Sequence, residues 1–157
     1  MTMLDDQARA ILRGNDRGHY TVPTDMLYPF QWNWDSAFAA WGFSTFDSNR
    51  AWREFETLFA AQWADGMVPH MVFHDEAPGY FPGPDVWGAG GAVPTSGISQ
   101  PPVAATLMRM VWEADPEAGT ARLRALLEGA FPTADLPAPD NVLIPWKDAR
   151  IKGICRL

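Results

Sequence analysis

Two tryptophans and a carboxylate fall within four residues in the run Tyr28-Pro-Phe-Gln-Trp-Asn-Trp-Asp35-Ser36. A carboxylate accepts up to four hydrogen bonds and can grip two adjacent hydroxyls of a sugar, while flat apolar rings stack on sugar faces. Asp35 is equally suited to N-capping a helix that begins beside it, and spacing alone favours the cap; one residue can serve both roles. A second segment, Gly66-Met-Val-Pro-His70-Met-Val-Phe-His74, places two imidazoles four residues apart. On a helix that spacing suits a metal pair, but Pro69 and the neighbouring valines oppose a helix, and the Glu of the zinc-protease motif is missing. A neutral His bonded to a ligand, or satisfied within a loop, fits this segment better. The third segment, Pro94-Thr-Ser-Gly-Ile-Ser-Gln100-Pro-Pro-Val, ends on an amide that offers one acceptor and two donors ahead of a helix. As a plain alternative it is a polar loop end.

Other motifs carry less. Ser96 and Ser99 lack a Gly-x-Ser-x-Gly setting, so a serine hydrolase has little support. The short Gly88-Ala-Gly-Gly91 run does not make a phosphate cradle. Cys155 has no partner His and, as the one cysteine, makes no internal disulfide and no four-thiolate zinc site.

The elements that must hold these segments follow from periodicity. Ala8, Ile11 and Leu12 share one face of a short helix over Leu4–Arg13, ended by Gly14. Residues 14–34 read as a long loop. A second helix starts at Asp35 or Ser36 and runs towards Phe46, weakened by Gly42. Asp47 and Ser48 offer caps for a third, whose stripe Trp52, Phe55, Phe59 and Trp63 ends at Asp65-Gly66. Residues 66–102 form a long irregular segment with room for small strands at Met67-Val68 and at Met71-Val72-Phe73; loops of this length inside a domain are usually functional. The fourth helix takes Pro101 and Pro102 in its first turn and carries Val103, Leu107, Met110, Val111 and Ala114 up to Asp115-Pro116. Leu123, Leu126, Leu127 and Ala130 make a fifth. The chain is therefore mostly α, with no alternation for a buried sheet.

Composition bounds the function. With 157 residues, 47% hydrophobic and 20% charged, the chain is one ordinary globular domain. A net charge of −7 argues against nucleic-acid binding. No apolar run approaches a membrane span, and the first fifteen residues lack a signal peptide's apolar core, so the expectation is a soluble, cytoplasmic chain without membrane association. Eight Trp and nine Phe, crowded mostly into residues 30–90, supply either a large aromatic core or a carbohydrate site. Every basic residue before position 147 is Arg, eight against eighteen acidic residues; Lys147 and Lys152 then join Arg150 and Arg156 in the last eleven residues. That switch in residue usage points to an altered end, as after a frameshift or truncation.

Together, Tyr28 with Gln31-Trp-Asn-Trp-Asp-Ser-Ala-Phe38, Gly66-Met-Val-Pro-His70 and Thr95-Ser-Gly-Ile-Ser-Gln-Pro-Pro102 resemble the N-terminal part of glycoside hydrolase family 63. The resemblance is closest to its bacterial mannosylglycerate and glucosylglycerate hydrolase branch. It runs from about Tyr20 to Ala130; the Trp-Asp-Ser element is shared with trehalases, whereas its combination with the His70 and Gln100 segments is more specific. The resemblance implies an incomplete (α/α)6 toroid over residues 1–130, about five helices with long aromatic-rich loops, followed by an atypical tail at 131–157. It implies an inverting glycosidase of the α-glucoside or α-mannoside class, a small carbohydrate as substrate, and no cofactor, since two carboxylates suffice for hydrolysis. Mapped by motif, Tyr28, Trp32, Trp34, Asp35, His70 and Gln100 would line the pocket. Asp35 would hold hydroxyls of the cleaved sugar, Trp34 would form an apolar wall, and Tyr80 would stand near the entrance or the glycerate side. The family's general acid and base lie beyond the matched segment; Asp135, Asp140 and Asp148 lack the expected setting and none is nominated. A twelve-helix toroid needs well over twice this length, and five helices leave apolar faces uncovered, which points to self-association. Two further readings remain: a non-catalytic carbohydrate-binding or helical interaction module that uses the same residues, and a small helical domain whose tryptophans are core.

Overall fold

A computed structural model describes residues 2–25 and 27–130. The tail at 131–157, with the expectations placed on it, lies outside the described residues. In chain order the elements are α1 (Met3–Gly14), β1 (Gln31–Trp32), α2 (Asn33–Ser44), α3 (Ser48–Ala60), β2 (Met71–Val72), α4 (Pro84–Trp87), β3 (Ala89–Gly90), β4 (Pro94–Thr95), α5 (Ala104–Ala114) and α6 (Pro116–Ala130). The described residues are thus mainly helical, as periodicity requires.

The core explains the packing. On α2 two of the inward positions are small, Ala37 and Ala40, which lets α3 and α5 approach closely, and Phe43 fills the core beyond them. Trp52 and Phe55 of α3 and Leu107, Met108 and Val111 of α5 fill that space, with Leu123 and Leu126 of α6 packed against it. Asp47 caps α3 by accepting the Arg50 N–H at 2.9 Å. Thr2 and Asp5 form a reciprocal capping box at the start of α1. Even so, α1 buries no residue fully, and Ile11, expected on an inward face, is exposed.

Several boundaries differ from the sequence reading, each for a local reason. Helix α2 begins at Asn33, two residues early, with Trp32 as its N-cap and no side-chain cap of its own. Asp35 is therefore in the first turn and is not the cap. Helix α3 stops at Ala60, so Trp63 leaves the stripe and instead donates its indole N–H to Thr95 Oγ1 at 3.0 Å. Pro101 and Pro102 precede α5 rather than opening it. Helix α6 begins at Pro116, seven residues before Leu123, because Pro at the first helical position needs no N–H partner. The helix at 84–87 is a single turn too short to show a period.

Three short strands of the irregular segment join β1 in a small antiparallel sheet, ordered β1-β2-β4-β3, of which the sequence signalled only β2. Its strands are two residues long, below the length at which alternation can be read. Met71-Val72 is a strand as expected, whereas Met67-Val68 is not. Gln31 pairs with Val72 and Trp32 with Met71. The hairpin from β3 to β4 turns at Gly90, with φ of +100° and room for no Cβ, which would fall 2.6 Å from the Val93 carbonyl oxygen.

Candidate functional site

Helix α2 starts without a cap of its own, and the first N–H groups of any helix need partners. Two of them are supplied by the other two chemistry-bearing segments. The Asn33 N–H donates to the His70 carbonyl at 3.0 Å. The Trp34 N–H donates to Gln100 Oε1 at 3.0 Å, across 66 positions of sequence. Asp35 is third in that turn. The Asn33 amide also donates to the carbonyls of Val68 at 3.3 Å and Pro69 at 3.2 Å, pinning the loop before His70. Three segments distant in sequence are thereby gathered at one helix start.

Aromatic rings surround that point. Trp32 is buried and meets Tyr28 edge-on at 5.2 Å, Tyr80 at 5.9 Å and His70 at 6.4 Å between centroids. His70 in turn lies 6.3 Å from Trp87. Phe30, Met71 and Phe73 back this group from the core side. Tyr28 and Trp34 are 46% and 43% exposed, so their faces remain open to a ligand.

Electrostatics separate the polar groups. Burial pushes the Asp35 carboxyl above its ordinary range, outweighing hydrogen bonds from its own backbone and from the Trp34 side chain. Burial pushes His70 down, which keeps the imidazole neutral near pH 7. Burial, with the Tyr28 phenol nearby, raises Tyr80. The arrangement thus offers an acceptor-only carboxylate, a neutral imidazole, phenols and apolar rings, a set that suits a polyhydroxylated ligand. Gln100 Oε1 accepts the Trp34 N–H, and the amide hydrogens are the donors the side chain can present.

All seven residues nominated from sequence, Tyr28, Trp32, Trp34, Asp35, His70, Tyr80 and Gln100, belong to these three segments or to the ring cluster around them. His74 goes elsewhere: its Nε2 lies 2.7 Å from Gln31 Oε1, away from His70, so the two imidazoles do not form a pair. Among the described residues no group of three or more potential metal-ligating side chains occurs. Two residues escaped the sequence reading. Trp87 sits on a one-turn helix without periodicity, and its only signal was its residue type. Ser96 was set aside because it lacks a nucleophile motif, yet its hydroxyl lies 3.1 Å from His70 Nδ1. A separate cleft of about 510 Å³, lined by residues 60–64 and 88–93, contains no charged side chain and none of the nominated residues.

A helical fold that gathers edge-on and tilted aromatic rings, a carboxylate, an imidazole and an amide at one helix start has the makings of a carbohydrate site. Residues 28–133 match the model of the mannosylglycerate hydrolase MGH1-like glycoside hydrolase domain, and the chain belongs to that family. It is 52% identical over 122 residues to mannosylglycerate hydrolase of Thermus thermophilus, covering 76% of this chain and 29% of that protein. It is 43% identical over 119 residues to glucosylglycerate hydrolase of Mycolicibacterium hassiacum, covering 71% and 27%. Among solved structures it resembles a GH63 mannosylglycerate hydrolase, also of Thermus thermophilus, in complex with Tris and D-glycerate, with a TM-score of 0.75 and 48% identity over 81% of this chain and 31% of that one. The same enzyme in complex with glucose gives a TM-score of 0.68 at 45% identity, covering 82% and 32%. The described helices are part of an (α/α)6 toroid of the GH63 kind, and the chain spans about 30% of the length of these relatives. Among the described residues no helix is long and apolar enough to cross a membrane.

Proposed function

We propose that residues 1–130 carry the sugar-binding side of a glycosidase site that takes a small α-glycoside of glycerate, glucosyl or mannosyl. The observation that carries this reading is the convergence of the Trp34-Asp35, His70 and Gln100 segments on the start of α2. Trp32, Tyr28 and Tyr80 provide the rings, Trp34 an apolar wall, and Asp35 an acceptor for paired hydroxyls. Tyr80 stands towards the entrance or the glycerate side. The glucose and D-glycerate complexes of the Thermus thermophilus enzyme support the two halves of that ligand.

In this reading hydrolysis is inverting: one carboxylic acid protonates the leaving oxygen while a carboxylate across the sugar activates water. Neither group is assigned to this chain, so the chain by itself binds without turning over. Calorimetric titration with glucosylglycerate and mannosylglycerate tests this. The expected result is a Kd of about 1 mM, as a few hydroxyl and ring contacts supply, with no glycerate released. Asp35→Ala abolishes the binding while helical circular dichroism is unchanged. Binding of neither glycoside, or binding indifferent to Asp35→Ala, overturns the reading. Release of glycerate by the pure chain overturns the placement of the catalytic pair outside it.

A further inference from the structure

Ser96 is fully buried immediately after β4, and its N–H and hydroxyl both meet the His70-Met71 segment. Its N–H donates to the Met71 carbonyl at 3.0 Å, and its Oγ accepts the Met71 N–H at 3.0 Å. The His70 N–H donates to the Ile98 carbonyl at 2.7 Å. The His70 side chain completes the arrangement, with Nδ1 at 3.1 Å from Ser96 Oγ.

We propose that Ser96 is a positioning residue that holds His70 as the neutral tautomer with its proton on Nε2, so that the ring presents a hydrogen-bond donor to an acceptor oxygen of the bound glycoside. The ligand clause rests on the function proposed above; the tautomer does not.

A serine hydroxyl has one proton and two lone pairs. One lone pair takes the Met71 N–H. The proton has two acceptors in reach, His70 Nδ1 at 3.1 Å and the Ile98 carbonyl at 3.4 Å. The second is beyond the ordinary O–H···O range, and that carbonyl already accepts the His70 N–H. The proton therefore goes to Nδ1, and a neutral imidazole that accepts at Nδ1 carries its hydrogen on Nε2. Nε2 has no hydrogen-bond partner among the described residues and is not one of the buried unpaired atoms, so it reaches solvent at the aromatic corner formed by Trp32 and Trp87. The site then divides its labour: Asp35 only accepts, and His70 donates. Such a donor selects a hydroxyl, ether or carboxylate oxygen at that position. The nucleophile role is closed to Ser96, since its oxygen is buried and held by the Met71 N–H.

Long-range proton–nitrogen spectra of the ¹⁵N-labelled chain at pH 7.5 read the tautomer directly, with the His70 signals assigned by their loss in His70→Gln. The expected result is a protonated Nε2 and an unprotonated Nδ1 in the parent chain, and a mixture of tautomers in Ser96→Ala with helical circular dichroism retained. A proton on Nδ1 in the parent chain overturns the proposal without any variant at Ser96. An unchanged tautomer in folded Ser96→Ala overturns it as well. Titration with mannosylglycerate and glucosylglycerate forms the second arm: the Nε2–H resonance moves on binding, and Ser96→Ala weakens affinity roughly 3- to 10-fold. If the parent chain shows the expected tautomer but binds neither glycoside, the proposed function and the ligand clause fall together, while the Ser96 assignment stands.

Discussion

At the scale of single residues, the polar group most committed to stability is Glu54. It is fully buried and accepts from Thr21 Oγ1 at 2.7 Å, the Thr21 N–H at 3.1 Å and Gln31 Nε2 at 3.0 Å, with Arg50 at 2.8 Å. Arg50, itself buried, also reaches Asp16 at 2.8 Å and lies over the Phe43 ring at 4.8 Å. Removing the Glu54 carboxylate takes away the acceptor shared by Thr21 and Gln31 and one of the two carboxylates that Arg50 meets. Glu54→Ala is therefore expected to cost about 3–5 kcal/mol, read from urea unfolding. His74 extends this network through Gln31, whose amide nitrogen faces Glu54, so its Oε1 accepts from His74 Nε2–H. Burial first, then the neighbouring His19, lowers the His74 pKa to about 4, against a weaker opposing effect of Asp75. Between pH 6.5 and 4 the unfolded chain takes up a proton that the folded chain refuses, so stability falls as pH falls through that window. His74→Gln keeps an N–H donor for Gln31 and removes the titration. Its stability–pH curve should flatten in that window, by up to about one bound proton.

At the scale of elements, helix α6 shows how a missing side chain fixes a distance. A Cβ at Gly119 would lie 2.7 Å from Trp52 Cζ2 and 3.2 Å from Trp112 Cδ1. Trp52 is fully buried in the core and has nowhere to go. At Gly42 on α2 the added Cβ would lie 2.8 Å from Leu12 Cδ1, the far end of a flexible side chain on the loosely packed α1. Alanine is favoured over glycine by up to about 1 kcal/mol in a helix interior, so the neighbours decide the outcome. Gly119→Ala is expected to destabilise by about 1–3 kcal/mol through overpacking, and Gly42→Ala to be nearly neutral, both by thermal unfolding. The contrast also marks what a sequence can convey. Stripes such as Leu107 with Val111, or Trp52 with Phe55, were legible because helical period and burial agree. Gly42 weakened a helix that the structure completes, because the glycine there serves close packing rather than termination. The two-residue strands left no period to find, and the start of α2 was misplaced because its cap comes from His70 and Gln100 rather than from a neighbour in sequence. Motif nominated seven positions of the candidate site, whereas Ser96 and Trp87 acquire meaning only from what they touch.

At the scale of the whole molecule, the described residues divide their apolar material among three clusters, one between the helices and two beneath the sheet and its loops. Arg122 ties the last described helix back to α3 with a two-pronged bond to Glu56, at 2.6 and 2.7 Å. Trp34, Phe38 and Trp41 lie along one side of α2 with 43%, 52% and 43% of their surface exposed, so this helix contributes an apolar face that the described residues do not cover.

The bond between Trp34 and Gln100 also sets an order of events in time. Contacts between α2 and α3 span a three-residue turn, whereas the start of α2 is completed only when a chain segment 66 residues away arrives. Closing a loop of that length must precede any reward from the bond, so assembly of such distant pairs lags behind local helix formation. In stopped-flow refolding, far-ultraviolet ellipticity should recover ahead of the tryptophan fluorescence, to which Trp32 and Trp34 contribute among eight tryptophans. Ligand affinity should return with the fluorescence, and Gln100→Leu should slow the second signal while sparing the first. A chain emerging from the ribosome would then be richly helical well before its three site segments met.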